Sequence, residues 1–425
     1  MIKKTDSLYE EILNKINPSV EEIARIEKNL LPFLRKIQEK INKYQLKVQI
    51  FVGGSFAKKT LIRKDMYDID IFLRFDKQYI NQDISKLTKK LLKGSKKLSE
   101  LKGSRNYFRI AVDDSLIFEI VPVIEVSKPS DAVNITDLSY SHVTYIRRKI
   151  KTQKILDDIK IAKAFCYANK CYGAESYIKG FSGYGLELLV YHYKSFERFL
   201  REISKSKGKI VIDLEKKYSN KKRVLMDMNG AKIQSPIIMV DPTYKQRNVL
   251  AALSQETLDI FKQAAKRFLK KPSVNSFETE KTDLKKIVED AKSKKHEFIL
   301  LEAKTSKQDG DIAATKLLKF YNALTKDIEK YFIIKERGFN YSGKKAARYF
   351  YVVDSRKEIL LTGPLAKQNK DVKKFERVHG NTFKKLGRIY ARKKIDFSLR
   401  QFLEKYSKDN RRKIKDMYIT NLERV

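Results

Sequence analysis

Two neighbouring stretches decide how this chain reads: Gly53-Gly54-Ser55 and, shortly after it, Tyr67-Asp68-Ile69-Asp70-Ile71-Phe72-Leu73. The second alternates polar and apolar residues, which predicts a β-strand with side chains i and i+2 on one face. Ile69, Ile71 and Leu73 then point into a core, and Asp68 and Asp70 stand together on the opposite face. Two carboxylates at that range repel each other unless a cation lies between them. A divalent metal used for chemistry on phosphates resolves the conflict most simply. The Gly-Gly-Ser turn suits the same chemistry, because small residues let the backbone and a hydroxyl approach a phosphate closely.

The surroundings predict a small α+β unit. Helices are expected over residues 7–16 and 19–44, parted by Asn17-Pro18, with Leu30, Leu31, Leu34, Ile37 and Ile41 near helical spacing. Val48 to Val52 reads as a short strand running into the glycine turn. Tyr107 to Val112 and Ser115 to Val126 read as a hairpin turning at Asp113-Asp114. The second of these strands carries Glu119 in Phe118-Glu119-Ile120-Val121-Pro122. A lone charge among apolar residues is costly without a partner. Glu119 either faces outward from a half-exposed strand or supplies a third carboxylate beside Asp68 and Asp70, and the second reading is adopted.

Further on, helical blocks are expected over residues 149–170, 181–199 and 255–270, with Arg223 to Ala231 irregular and Ile237 to Val240 a strand. Lys271-Pro272-Ser273 breaks the pattern and marks a boundary. Beyond it, strand, helix, strand and strand over residues 298–353 suggest a ferredoxin-like half-sheet, an arrangement common in RNA-binding modules. Residues 371–421 read as helical and basic. This organisation gives a catalytic head over 1–150, a central neck over 151–273, and a body and tail over 274–425.

The charge is extreme: 92 Lys and Arg against 52 Asp and Glu, a net +40. A lysine-rich proteome accounts for part of it, but so large a deficit of acids points to a polyanionic partner, above all nucleic acid. Runs such as Lys221-Lys222-Arg223 and Arg411-Arg412-Lys413 are solvated faces or phosphate contacts. Cys166 and Cys171 lack companions at zinc spacing and read as small buried hydrophobes in a reducing compartment. No apolar stretch is long enough to span a membrane, and no signal peptide is visible, so a cytoplasmic location is expected.

The motifs resemble a known family. Gly53-Gly54-Ser55-Phe56-Ala57-Lys58-Lys59-Thr60 followed by Asp68-x-Asp70 is similar to the signature of the nucleotidyltransferase superfamily that includes DNA polymerase β. Tyr172-Gly173-Ala174-Glu175 and Lys179-Gly180-Phe181-Ser182-Gly183-Tyr184 resemble the neck of archaeal, class I, CCA-adding enzymes. So do Val240-Asp241-Pro242, Arg247-Asn248-Val249 and Leu253-Ser254, and, near the C-terminus, Gly363-Pro364 and Asp371-Val372-Lys373-Lys374-Phe375. The resemblance covers nearly the whole chain and implies an α+β architecture: polymerase β-like head, mostly helical neck, ferredoxin/RRM-like body and tail. It implies template-independent addition of CCA to the tRNA 3′ end from CTP and ATP.

The resemblance also implies roles. Asp68, Asp70 and Glu119 would hold two Mg²⁺ ions. Ser55 and Lys58 would contact phosphates from the turn, with Lys163 and Tyr172 on the triphosphate. Ser139 and His142 would lie near the incoming nucleotide, although a lone histidine is as often simply packed. Arg247 would read the base edge, a task for a planar fork of donors. Tyr184, Tyr191 and Tyr193 are stacking platforms or core aromatics. The chain departs from the family in Glu119, where aspartate is usual, in Phe56, where tyrosine is frequent, and in Ser176, where a second tyrosine often stands; residues 309–363 match by pattern only. Two rivals remain: another template-independent polymerase, of poly(A) or oligoadenylate type, and a tRNA-binding homologue with a decayed site. The oligomeric state is open, a homodimer among the options.

Overall fold

Two helices open the fold, α1 (Ile2–Ile16) and α2 (Val20–Lys43), in a computed structural model that describes residues 2–279, 282–341 and 343–425, with side chains from residue 7 onward. Ser19 starts α2: its hydroxyl accepts from the Glu22 backbone N–H, and the Glu22 carboxylate accepts from that of Ser19, satisfying two free donors at the helix start. Ile26, Leu30, Ile37 and Ile41 form the buried stripe of α2 and pack on the first sheet.

That sheet has the order β1-β2-β5-β4-β3. Its strands are β1 (Val48–Val52), β2 (Tyr67–Phe75), β3 (Leu98–Leu101), β4 (Tyr107–Ala111) and β5 (Leu116–Ile124). A four-residue helix α3 (Gly54–Ala57) stands between β1 and β2, and α4 (Ile84–Leu92) precedes β3. β4 and β5 form the expected antiparallel hairpin, while β2 and β5 run parallel. Ile69, Ile71 and Leu73 are wholly buried, so the alternation read from the sequence holds and leaves Asp68 and Asp70 on the other face.

A helical layer follows: α5 (Ser139–Lys149), α6 (Gln153–Ala168), α7 (Gly183–Tyr193), α8 (Phe196–Lys205), α9 (Lys221–Asp227) and α10 (Gln255–Lys270). A parallel pair, β6 (Ile210–Ile212) and β7 (Ile237–Met239), accompanies it. Residues 181–199 do not form one helix. Lys194 turns left-handed with φ 66°, and Ser195 caps a new helix. Residues 223–231 are not irregular throughout either, because Asn220 accepts from the Arg223 N–H and starts α9. Phe165, Phe181, Phe196, Phe199, Phe261 and Phe268 build an aromatic core here, separate from that of the first sheet. Phe277 still packs on it, so the first compact unit continues beyond Lys271-Pro272-Ser273, and the two units are residues 1–280 and 281–425.

The second unit contains α11 (Leu284–Ser293), β8 (Glu297–Thr305), α12 (Asp311–Ile328), β9 (Phe332–Tyr341) and β10 (Ala346–Ser355). It continues with β11 (Glu358–Leu365), α13 (Asn369–Val378), β12 (Thr382–Lys385), β13 (Arg388–Lys394), α14 (Leu399–Asp409), α15 (Arg411–Asp416) and β14 (Ile419–Arg424). The sheet order β14-β8-β10-β9, antiparallel throughout, is the ferredoxin-like order fourth-first-third-second. A separate sheet, β11-β13-β12, is inserted before α14. Residues 371–421 are therefore not simply helical. Leu386 and Gly387, both at positive φ, turn a hairpin that buries Ile389 and Ala391; exposed basic side chains on those strands hid the alternation.

Candidate active site

Strand β2 projects Asp68 and Asp70 from one face, and the parallel register with β5 sets Glu119 opposite Asp70. The glycine turn lies directly on this pair. The Gly53 N–H donates to the Asp70 carbonyl at 2.8 Å. A Cβ on Gly54, whose φ is +61°, would fall 1.8 Å from Asp70 Oδ2, and one on Gly53 would fall 2.4 Å from the Phe72 ring. Only glycine permits this approach, and Ser55 follows it as the second residue of α3.

Burial, then the charge of Glu119 and more weakly that of Asp68, push the Asp70 carboxyl up to about 7. Burial raises Glu119 as well. Opposite Glu119 on β4 stands Arg109, whose Nε lies 2.6 Å and Nη2 2.5 Å from Glu119 Oε1. Among the described residues no three His, Cys, Asp or Glu side chains close into a preformed metal cage. The donor chemistry nonetheless fits a hard divalent cation: three carboxylates on adjacent strands, one driven toward its protonated form by burial and then by its negative neighbours. Arg109 brings positive charge to the same carboxylate.

A second group joins the head to the helical layer. Glu187 on α7 is wholly buried and binds two cations: Lys58 Nζ lies 2.7 Å from Oε2, and Lys163 Nζ, from α6, 2.7 Å from Oε1. The hydroxyl of Thr60 donates to the same Oε1 at 2.9 Å. Lys163 also donates to Thr60 Oγ1 at 2.7 Å and to the Thr60 carbonyl at 3.3 Å, so all three of its ammonium protons are engaged. Burial pushes Lys163 down to about 8 despite Glu187, whereas two lysines hold Glu187 down to about 2 against its own burial. One carboxylate serves two ammonium groups, so it is firmly ionised while each lysine is only half compensated. The Lys58 charge also reaches Asp70 and His142. Tyr172 lies nearby; burial, then Glu187 and more weakly Asp70, raise its hydroxyl.

The third group is built on Asp241, which is fully buried. Arg247 Nη1 donates to Asp241 Oδ2 at 2.9 Å, and His142 Nε2 lies 3.0 Å from that oxygen and 2.9 Å from Arg247 Nη1. Tyr184 stacks on the His142 ring at 4.2 Å and reaches Asp241 Oδ1 at 3.4 Å. Ser139 begins α5 one turn ahead of His142. All ten residues singled out from the sequence thus belong to the first compact unit. Glu187, Thr60, Asp241 and Arg109 were not singled out. For Glu187 the signal was present: one charge inside Leu186-Glu187-Leu188-Leu189-Val190, the same argument that exposed Glu119.

Comparison with known proteins identifies the family. A family model described as "tRNA nucleotidyltransferase, second domain" matches residues 157–278. The CCA-adding enzyme of Nanoarchaeum equitans is 42% identical over 206 residues, a match spanning 48% of this chain and 51% of that enzyme. That of Methanocaldococcus jannaschii is 27% identical over 416 residues, 92% of this chain and 88% of the enzyme. That of Saccharolobus solfataricus is 30% identical over 327 residues, 76% of this chain and 72% of the enzyme. The chain belongs to the CCA-adding enzymes. Template-independent addition of CCA to tRNA is the activity that goes with this membership. Among solved structures, a Cid1 poly(U) polymerase superposes with TM-score 0.53 at 14% identity, covering 66% of this chain and all of that one. A cytoplasmic RNA terminal U-transferase gives 0.50 over the same share. At such identity the likeness speaks for the fold, that of the polymerase β-like nucleotidyltransferases. No helix among the described residues is long and apolar enough to cross a membrane.

Proposed function

We propose that this CCA-adding enzyme works through Asp68, Asp70 and Glu119, with Lys58 and Ser55 on the triphosphate and Arg247 on the base. The observation that carries the reading is the facing pair Asp70 and Glu119 under a glycine turn that closes onto Asp70 Oδ2. The 3′ hydroxyl of the tRNA attacks the α-phosphate in line, a new O–P bond forms, the bond to pyrophosphate breaks, and the hydroxyl proton leaves. Two Mg²⁺ held by the three carboxylates would activate the hydroxyl and neutralise charge on the triphosphate.

The chain itself supplies position and fixed charge. Lys58 spends one ammonium proton on Glu187 and has others for a phosphate. Lys163, with its donors engaged, contributes its charge and keeps Glu187 in place. Ser139, His142 and Tyr172 border the nucleotide. The head over 1–150 performs the chemistry, the neck over 151–273 reads the base, and residues 274–425 bind tRNA at the acceptor stem and elbow through basic side chains. A cytoplasmic location fits such work. The test is to incubate tRNA lacking its CCA end with CTP and ATP, singly and together, and sequence the 3′ ends. Ordered C, C, A incorporation supports the reading; adenosine runs would favour a poly(A)-type polymerase.

A further inference from the structure

We propose that Asp241 is the positioning residue of nucleotide choice: one buried carboxylate locks the Arg247 guanidinium and the His142 imidazole into a single rigid edge facing the base. The inference rests on the reading of Arg247 as the base contact.

Cytosine and adenine each present an amino donor beside an unprotonated ring nitrogen. Uracil and guanine present the reverse, a carbonyl beside a ring N–H. A guanidinium donates only, so it can bond the ring nitrogen of cytosine or adenine and meets a donor in uracil or guanine. A mobile guanidinium evades that clash by swinging to the carbonyl. A fixed one does not, so its rigidity is what discriminates. The structure fixes it. Nη1 of Arg247 donates to Asp241 Oδ2 at 2.9 Å, which leaves Nε and Nη2 as donors for a base. With its proton on Nε2, His142 donates to the same Oδ2 at 3.0 Å, and its ring is pinned by the stacked Tyr184.

Asp241 is itself anchored. The Thr243 backbone N–H and hydroxyl donate to Oδ1 at 2.8 and 2.7 Å, and the Arg247 carbonyl accepts from the Asp241 N–H at 2.9 Å. The two oxygens therefore divide the work: Oδ1 belongs mainly to the turn and Oδ2 to the recognition pair. A buried carboxylate bonded on both oxygens is a far stiffer anchor than a solvated one.

Asp241→Asn separates these functions. Its amide oxygen still accepts from Thr243, while its NH₂ meets Arg247 and His142 donor against donor. We measure kcat/KM for CTP, UTP, ATP and GTP with tRNA primers, tRNA affinity, and the melting temperature. In Asp241→Asn the CTP/UTP and ATP/GTP ratios fall about tenfold or more, the scale of one bidentate base contact, with tRNA affinity unchanged. Asp241→Asn combined with Arg247→Ala loses no more selectivity than Arg247→Ala alone, as residues acting through one another do. Thr243→Val, which removes a donor from Oδ1 only, keeps both ratios.

A folded Asp241→Asn enzyme with wild-type ratios overturns the proposal. So does an equal loss in Thr243→Val, or failure of Asp241→Asn to fold while Thr243→Val folds, since the carboxylate would then be only structural. If Arg247→Ala alone leaves both ratios intact, it is the underlying assignment of Arg247 that fails.

Discussion

Asp70 and Glu119 face each other across the parallel β2–β5 pair, close enough that the Glu119 charge helps lift Asp70 to about 7. Unlike the ion pairs on the protein surface, this arrangement is destabilising on its own account, and it makes sense as a site built for a cation. Asp68→Ala or Asp70→Ala should cut incorporation about a thousandfold or more, since a metal clamp contributes several kcal/mol of charge stabilisation. tRNA affinity should hardly change, because it comes from the basic surface. Single-turnover extension and filter binding give both numbers, and substantial extension by either variant in Mg²⁺ would sink the assignment.

Arg109 makes a second, separable expectation. It pairs with Glu119, so Arg109→Ala should destabilise the protein in the presence of a chelator by about 1–2 kcal/mol, the cost of stranding a largely buried carboxylate. Mg²⁺ should then stabilise the variant more than the wild type, because ligand binding adds to the folded state alone. Thermal unfolding with and without Mg²⁺ measures the difference. Glu119→Gln should lose most activity, while Glu119→Asp should be tolerated; near-normal turnover by Glu119→Gln would move the third carboxylate elsewhere.

What the sequence told, and what it withheld, follows from range. Asp68, Asp70 and the buried isoleucines between them were legible because strand alternation is local. The ferredoxin-like half-sheet was legible for the same reason, since β8, α12, β9 and β10 each carry their own period. In the inserted sheet, β12 and β13 were not, because lysines and arginines occupy their exposed positions and imitate a basic helix. Nor was the sharing of Glu187 by Lys58 and Lys163, which are 129 and 24 residues away from it. Asp241 stood inside a quoted motif, yet only the fold shows that it gathers His142 from 99 residues away.

Gly54 offers a test of the turn itself. Alanine there would meet both a positive φ and Asp70 Oδ2, whereas Gly208, at φ +69°, has open space around it. Each alanine should cost about 1–2 kcal/mol of stability from the backbone alone. Only Gly54→Ala should also abolish turnover, by forcing Asp70 out of line. Equal activity losses in the two variants would mean that the turn matters for stability rather than for the carboxylate.

Glu187 predicts a pH signature. Its folded-state value is depressed from 4.5 to about 2, so the stability it contributes is fully present above about pH 4.5 and is lost as pH falls toward 2. Glu187→Gln removes that carboxylate and leaves Lys163 buried without a counter-ion, at a cost of about 3 kcal/mol near neutrality. The gap between wild type and variant in urea unfolding should therefore narrow as pH falls from about 4.5 toward 2. Lys163 works in the opposite sense at high pH. Its folded value near 8 lies below the ordinary 10.5, so the unfolded chain holds more protons and wild-type stability should gain between those values. In Glu187→Gln, with the counter-ion gone, Lys163 loses its proton at lower pH and that gain should begin earlier. A wild-type to variant gap that stays flat from pH 3 to 9 would show that Glu187 contributes shape to the head–neck junction but no charge.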